Sequence, residues 1–248
     1  MELTKDRVFT AREVAESYND PQTAEKYSAF FRDTPSHIRK DKREKRCIAQ
    51  LLAQVPRGAQ ILDLPCGAGR MYHLLKEMGF HIVGADASPY MVGIAQKQAE
   101  TLASSDEPIL DTFQVANALK TDFRDKQFDA VLSSRLFHHF SDSNTRQQAL
   151  RELSRICSGP IVVSFFSTIA TDALKFYYKK YIRHEVIKDR IPISPWTFAK
   201  DVRAAGLKIT KWQMARPLIS KQWYVVLQNA SEHSCLGLPK VSRRCAAM

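Results

Sequence analysis

The chain has 248 residues, of which 44% are hydrophobic and 25% charged, enough apolar content for one α/β-sized core and too much for wholesale disorder. No apolar run approaches the roughly 18 residues of a membrane helix, and the polar start MELTKDRVFT lacks the h-region of a secretory signal. Lys and Arg outnumber Asp and Glu by 37 to 26, a net charge of +11 that suits an anionic partner (RNA, an acidic substrate, an acidic lipid surface) or a protein that is merely basic.

Residues 10–55 read as helix, interrupted once at Asn19-Asp20-Pro21, where proline ends one helix and starts the next. Within them Arg39 to Arg46, RKDKREKR, interleaves both signs and reads as a solvated helix face. From Gln60 short apolar runs alternate with helix-period segments. Strands are predicted at 61–64, 81–84, 112–115, 128–132 and 161–165, with helices at 70–79, 89–103 and 143–157 between them. That alternation implies βαβ units and a parallel sheet covered on both faces. A helical insertion at 168–190 breaks the rhythm. A helix from Trp196 to Ala205 follows, then strands at 207–214 and 221–229 joined without a helix, so the last should run antiparallel. The polar, basic tail from Ala230 is predicted to be disordered. The domain reading is an N-terminal helical lid (1–55), a main α/β domain (56–229) carrying the insertion as a second lid, and the tail (230–248).

The stretch ILDLPCGAGR, Ile61 to Arg70, carries the most chemistry. A strand ends at Asp63, and Gly67 and Gly69 permit positive φ and let a ligand lie against bare backbone. The end of the first strand is where doubly wound sheets place ligands. A dinucleotide site would want a third small residue where Tyr72 stands, and Asp63 is unfavourable beside a pyrophosphate but favourable beside an ammonium or sulfonium. The Walker pattern also fails, because Gly69 is followed by Arg70 and Met71.

This turn resembles that of the class I S-adenosylmethionine-dependent methyltransferases, in particular the small-molecule branch whose motif reads DLPCGTG. The resemblance covers residues 55–165 in motif terms and the whole chain in topology, with Pro65 replacing the first glycine of E/D-x-G-x-G-x-G. It implies a Rossmann-like seven-stranded sheet whose last strand is antiparallel, with helices on both faces and helical lids. The implied cofactor is S-adenosyl-L-methionine (SAM), with S-adenosyl-L-homocysteine (SAH) as product. Its implied contacts are Asp63, Pro65, Gly67 and Gly69 at the turn, Asp86 at the ribose with Ala87 beside it, Asn117 near the adenine, and Ser133 after the fourth strand.

Leu132 to Phe140, LSSRLFHHF, resembles the family's segment under the cofactor. His139 and His138 are the candidate bases there, or hydrogen-bond the backbone as structural histidines. Arg135 anchors a substrate anion or makes a salt bridge. The D/N-P-P-Y/F string of amine methylation is absent at Ser133-Ser134-Arg135-Leu136, and no acidic cluster suggests Mg²⁺ or another metal. Tyr178 and Tyr181, among the basic residues of the insertion, and Tyr27 of the N-terminal lid are further candidate substrate residues. The insertion otherwise reads as an amphipathic lid packing its aromatic side inward.

The expected function is methylation of a small anionic or aromatic acceptor, at oxygen in preference to nitrogen. An RNA- or tRNA-modifying methyltransferase and a non-catalytic SAM-binding protein are the alternatives, and nucleic acid is the less favoured partner. Five cysteines (Cys47, Cys66, Cys157, Cys235, Cys245) without CxxC spacing suggest a reducing, cytoplasmic compartment. The final Cys245-Ala246-Ala247-Met248 formally fits a prenylation box, the alternative being membrane association.

Overall fold

A computed structural model describes residues 10–31, 33–102, 111–184 and 190–230. Seven strands form one sheet: β1 (Gln60–Asp63), β2 (His81–Asp86), β3 (Thr112–Val115), β4 (Ala130–Ser133), β5 (Ile161–Phe166), β6 (Leu207–Met214) and β7 (Gln222–Asn229). Their order is β3-β2-β1-β4-β5-β7-β6. The first five are mutually parallel, and β7 runs antiparallel to both β5 and β6, as the hairpin-type connection requires. Strand order reverses between β1 and β4, which opens a crevice beyond their C-terminal ends.

The central strands are buried on both faces, so they read as unbroken apolar runs rather than alternating ones. Successive residues nevertheless enter different cores. Leu62, Val131 and Val163 pack with Leu150, Leu153 and Phe198 on one side. Ile61, Leu132 and Val162 pack with Ile48, Leu52 and Leu75 on the other. The helices supplying these cores are α3 (Pro35–Leu52), α4 (Tyr72–Glu77), α6 (Ser143–Ile156) and α8 (Pro195–Ala204), with α5 (Pro89–Leu102) after β2.

The N-terminal region has one break more than expected. Helices α1 (Ala11–Ser17) and α2 (Pro21–Phe30) part at the Asn-Asp-Pro break, where the Asp20 carboxylate accepts from the Thr23 N–H at 2.8 Å. A second break precedes α3, where Thr34 caps the helix and Pro35 opens it. Ala24 of α2, Ala68 of the glycine turn and Met91 of α5 form a small third core flanked by Tyr18 and Tyr27. Those two tyrosines are thereby held over the crevice.

Other boundaries differ locally. The helix after the glycine turn spans only Tyr72–Glu77, because the turn itself runs on to Met71. Phe128 makes a bridge to Cys157 outside β4. The insertion is α7 (Thr171–Tyr177) followed by a π-helical turn, Tyr178–Ile182; residues 185–189 and the tail from 231, with Cys235 and Cys245, lie outside the described residues. No helix among the described residues is long and apolar enough to cross a membrane.

Gly159, in the turn between α6 and β5, has no room for a side chain. A Cβ there would collide with the backbone carbonyl oxygen of Asp129, and Asp129 is itself tied to β1 by its N–H to the Gln60 carbonyl at 2.9 Å. Gly159→Ala is expected to lower stability by about 1–3 kcal/mol, the usual cost of overpacking. Urea denaturation checks this, and an unchanged midpoint would contradict the packing described.

Candidate cofactor and acceptor site

A cavity of about 350 Å³ occupies the crevice at the strand ends, within the range of small-molecule sites. Asp63, Pro65 and Gly67 line it from the turn after β1, Asp86 and Ala87 from the end of β2, and Asn117 from beyond β3. Arg135, His138 and His139 line it from beyond β4, and Tyr27 and Tyr18 close over it. Of the fourteen residues singled out in the sequence, ten thus converge on one cavity.

The turn is built around the Asp86 carboxylate. Its Oδ2 accepts the Gly67 N–H and its Oδ1 the Ser88 N–H, each at 2.9 Å. Gly67 is left-handed at φ 53, and a Cβ there would stand 3.3 Å from Tyr27 Cε1. Its bareness therefore keeps the wall open beneath Tyr27. Gly69, at φ 79, serves packing instead, since a Cβ would lie 3.1 Å from Ala95 Cα and 3.2 Å from its Cβ. Gly69 permits α5 to pack closely and lines a separate small crevice rather than the main cavity. Tyr72, at the place of a third glycine, turns inward and donates to the buried Asp111 carboxylate at 3.0 Å.

Two acids therefore face the same space. Asp63 is buried, and its Oδ1 has no hydrogen-bond partner. Burial first, and then the Asp86 charge, push its carboxyl up to about 8, against the opposing pull of Arg70. Burial also raises Asp86, opposed by the backbone N–H groups of Ser88, Gly67 and Ala87. Two carboxyls crowded in low dielectric favour a ligand that brings positive charge. Asn117 presents its amide nearby, its carbonyl oxygen accepting the Leu119 N–H at 2.9 Å.

Beyond β4 the candidate residues divide. Ser133 is fully buried and does not line the cavity. His138 is also buried and stacks on Phe166 with ring centroids 3.7 Å apart. Burial, followed by electrostatic repulsion from His139 and Arg135, drives its imidazole well below the ordinary value, so it is neutral at physiological pH. His139 meets the Tyr18 ring edge-on at 5.8 Å. Tyr178 and Tyr181 lie away from the cavity, 55% and 60% exposed. The expected inward packing of the insertion's aromatic side therefore does not hold for these two.

The charge run of α3 is only partly solvated, which corrects the sequence reading. Glu44 is wholly buried, and its Oε2 accepts from Arg70 at 2.5 Å. Asp41 takes the Arg70 Nε–H at 2.6 Å. Although burial opposes it, Arg70, Arg135 and Lys40 hold the Glu44 carboxyl below the usual range. The signal for this lay in the spacing: Glu44 shares the stripe of Cys47, Ile48 and Leu51, all buried at helical period. Arg12 and Arg190 also reach the cavity, Arg190 donating to the Tyr18 hydroxyl at 3.3 Å. Neither carries a local motif that would have singled it out.

Among the described residues no group of three or more His, Cys, Asp or Glu could hold a metal. Cys47 and Cys66 are free thiols, and these two and Cys157 are buried.

Residues 62–159 match the family described as "Methyltransferase domain". The chain is 34% identical over 143 residues to a demethylmenaquinone methyltransferase of Thermus thermophilus, covering 56% of this chain and 60% of that protein. A demethylmenaquinone methyltransferase of Thermotoga maritima is 29% identical over 183 residues, covering 73% and 72%. A tRNA (carboxymethyluridine(34)-5-O)-methyltransferase of Xenopus tropicalis is 32% identical over 111 residues, 44% of this chain but 15% of that protein. The chain thus spans less than two thirds of the Thermus and Xenopus relatives. In fold it is similar to the magnesium protoporphyrin IX methyltransferase of Synechocystis PCC 6803 with bound SAH, with a TM-score of 0.70 at 15% identity, covering 87% and 98% of the two chains. Residues 62–159 thus resemble a methyltransferase domain, and the chain shares its fold and strand order with a methyltransferase of known structure.

Proposed function

We propose that the protein is a SAM-dependent methyltransferase that acts on a small molecule, at oxygen in preference to nitrogen. The observation that carries the reading is the pair of buried carboxyls, Asp63 with an unpartnered oxygen and Asp86 tied to the glycine turn, facing one cavity. SAM supplies an activated methyl group on a cationic sulfur when bound. Asp63 offers its free oxygen to a cation, Gly67 leaves room for the ligand, and Asp86 has the two-oxygen geometry that vicinal hydroxyls take.

The chain's own part in the reaction is chiefly alignment of the acceptor. His139, on the cavity wall, would in this reading receive a proton from an acceptor hydroxyl. His138, buried and shifted downward, is a poor base at neutral pH and orients the turn through its carbonyl, which accepts the Ile191 N–H at 2.7 Å. The Ser133-Ser134-Arg135-Leu136 string offers no stacking slot of the kind that amine methylation uses, which favours oxygen.

Asp63 makes the reading testable through pH. In the ligand-free fold its carboxyl stays protonated up to about 8, whereas its ordinary value is 3.8. The unfolded chain therefore holds fewer protons, and the stability associated with this group falls as pH rises from about 4 to about 8. A cationic ligand favours the ionised form, so SAM binding is expected to release a proton and to tighten as pH rises through neutrality. Calorimetry in two buffers of different ionisation enthalpy measures that release. Absence of SAM binding, or binding without proton release that Asp63→Asn leaves unaltered, would count against it.

RNA is the second reading, favoured by the exposed Lys179, Lys180 and Arg183 of the insertion and by the tRNA methyltransferase relative. It requires affinity for RNA that falls steeply with salt. Filter binding that is weak and salt-independent would remove it.

A further inference from the structure

Arg135 is anomalous in the cavity wall. Its side chain is only 9% exposed, and its ion-pair contact, Glu44 Oε1, stands 3.7 Å away, too far for a hydrogen bond. That contact is made by Nη1, which is buried without a hydrogen-bond partner, although buried guanidinium donors are ordinarily satisfied. Glu44 already takes Arg70 at 2.5 Å. The backbone at Arg135 is left-handed at φ 66, a costly conformation for a residue with a side chain. It is held there by the Arg135 N–H donating to Ser164 Oγ at 2.8 Å.

The neighbourhood is cationic. Lys221 lies 4.2 Å, and Arg135 5.6 Å, from the centre of the Phe166 ring on which His138 stacks. Burial first, and then the charges of Lys40, Arg135 and Arg190, lower the Lys221 ammonium to about 8, with Asp172 opposing. Gln222, opposite Phe166 across the β5–β7 pair, is buried with both amide atoms unpartnered. Cations gathered in low dielectric repel one another unless an anion joins them.

We propose that Arg135, backed by Lys221 just before β7, is an anion-binding subsite for the acceptor, so that the molecule methylated presents a carboxylate or phosphate group to this wall. A guanidinium is suited to either, since its planar fork pairs with two oxygens at once. The proposal rests on the methyltransferase reading and narrows its substrate to organic oxyanions.

The test uses the full chain saturated with SAH and titrated with benzoate, phenyl phosphate and neutral benzamide, followed by ligand-observed NMR. One of the two anions is expected to bind about tenfold more tightly than benzamide, and the preferred one names the acid group. Arg135→Gln should abolish that preference, Arg135→Lys should retain part of it, and Lys221→Gln should reduce it about threefold. Lys221 is only partly buried, so its variant keeps the test valid if the Arg135 variants fail to fold. Equal binding of anion and amide, no binding of any probe, or a preference that Lys221→Gln and Arg135→Gln both leave intact would overturn the subsite. So would an Arg135→Gln protein that loses SAH, because the guanidinium would then belong to the cofactor's own carboxylate. SAH affinity of the unaltered chain is measured on the same samples. Failure there with a persisting anion preference defeats the cofactor reading and leaves the subsite standing.

Discussion

Glu44→Ala is expected to destabilise the protein by about 3–5 kcal/mol, the range for removing one partner from a buried ion pair. Glu44 is fully buried on α3, with Arg70 at 2.5 Å and Arg135 at 3.7 Å. Truncation would leave Asp41 as the remaining carboxylate on Arg70, at 2.6 Å, and none close to Arg135. The cost therefore comes less from the attraction lost than from buried positive charge left uncompensated. Because the Glu44 carboxyl is held below its ordinary value, its contribution is present at neutral pH and fades as acid protonates it. Urea denaturation at neutral pH is the measurement, and a loss under about 1 kcal/mol would mean that the pair is solvated. Glu44→Ala should also flatten the acid limb of the stability curve. The effect reaches the site, since Arg70 follows the glycine turn and both arginines line the cavity.

Asp86→Ala should weaken SAM binding by about 1–3 kcal/mol, roughly 5- to 150-fold in dissociation constant. The carboxylate accepts N–H groups from Gly67 and Ser88, so alanine removes the charged contact proposed for the ligand and also the tie that shapes the turn. Asp86→Asn separates the two effects: it keeps one carbonyl acceptor for the turn but lacks the charge. If ribose recognition dominates, the Asn variant should lose most of the affinity at nearly unchanged thermal stability. Calorimetric titration with SAM checks this, and wild-type affinity in both variants would refute the assignment of Asp86.

The two predictions differ in how visible their residues are in the chain. Asp86 stands at the end of an apolar run, 17 residues past Gly69, so its place follows from local spacing within one βαβ unit, and its proposed role from the family resemblance. Asp63 and Gly67 are legible for the same reason, because a strand, its turn and the next helix are contiguous. The strand positions and the antiparallel last strand are readable too, since periodicity and connection length are local properties. Glu44 lies in a run of mixed charge whose solvation is the ordinary outcome, and its burial depends on Arg70 and Arg135, 26 and 91 residues away. Gly69 reads in sequence as part of the ligand cradle, but its neighbour is Ala95 of α5. Tyr178 and Tyr181 are plausible by composition and are exposed.

By itself the amino-acid sequence determined the α/β architecture, the glycine turn and the acids at the ends of β1 and β2. Those features depend on backbone conformations and hydrophobic periods that act over a few residues. Tertiary structure alone decided which charges are buried together, which tyrosines cover the cavity, and that Arg135 faces it near Lys221, just before β7, and Lys40 of α3. Charge pairing in low dielectric depends on distances between segments far apart in the chain, and no local pattern encodes those distances.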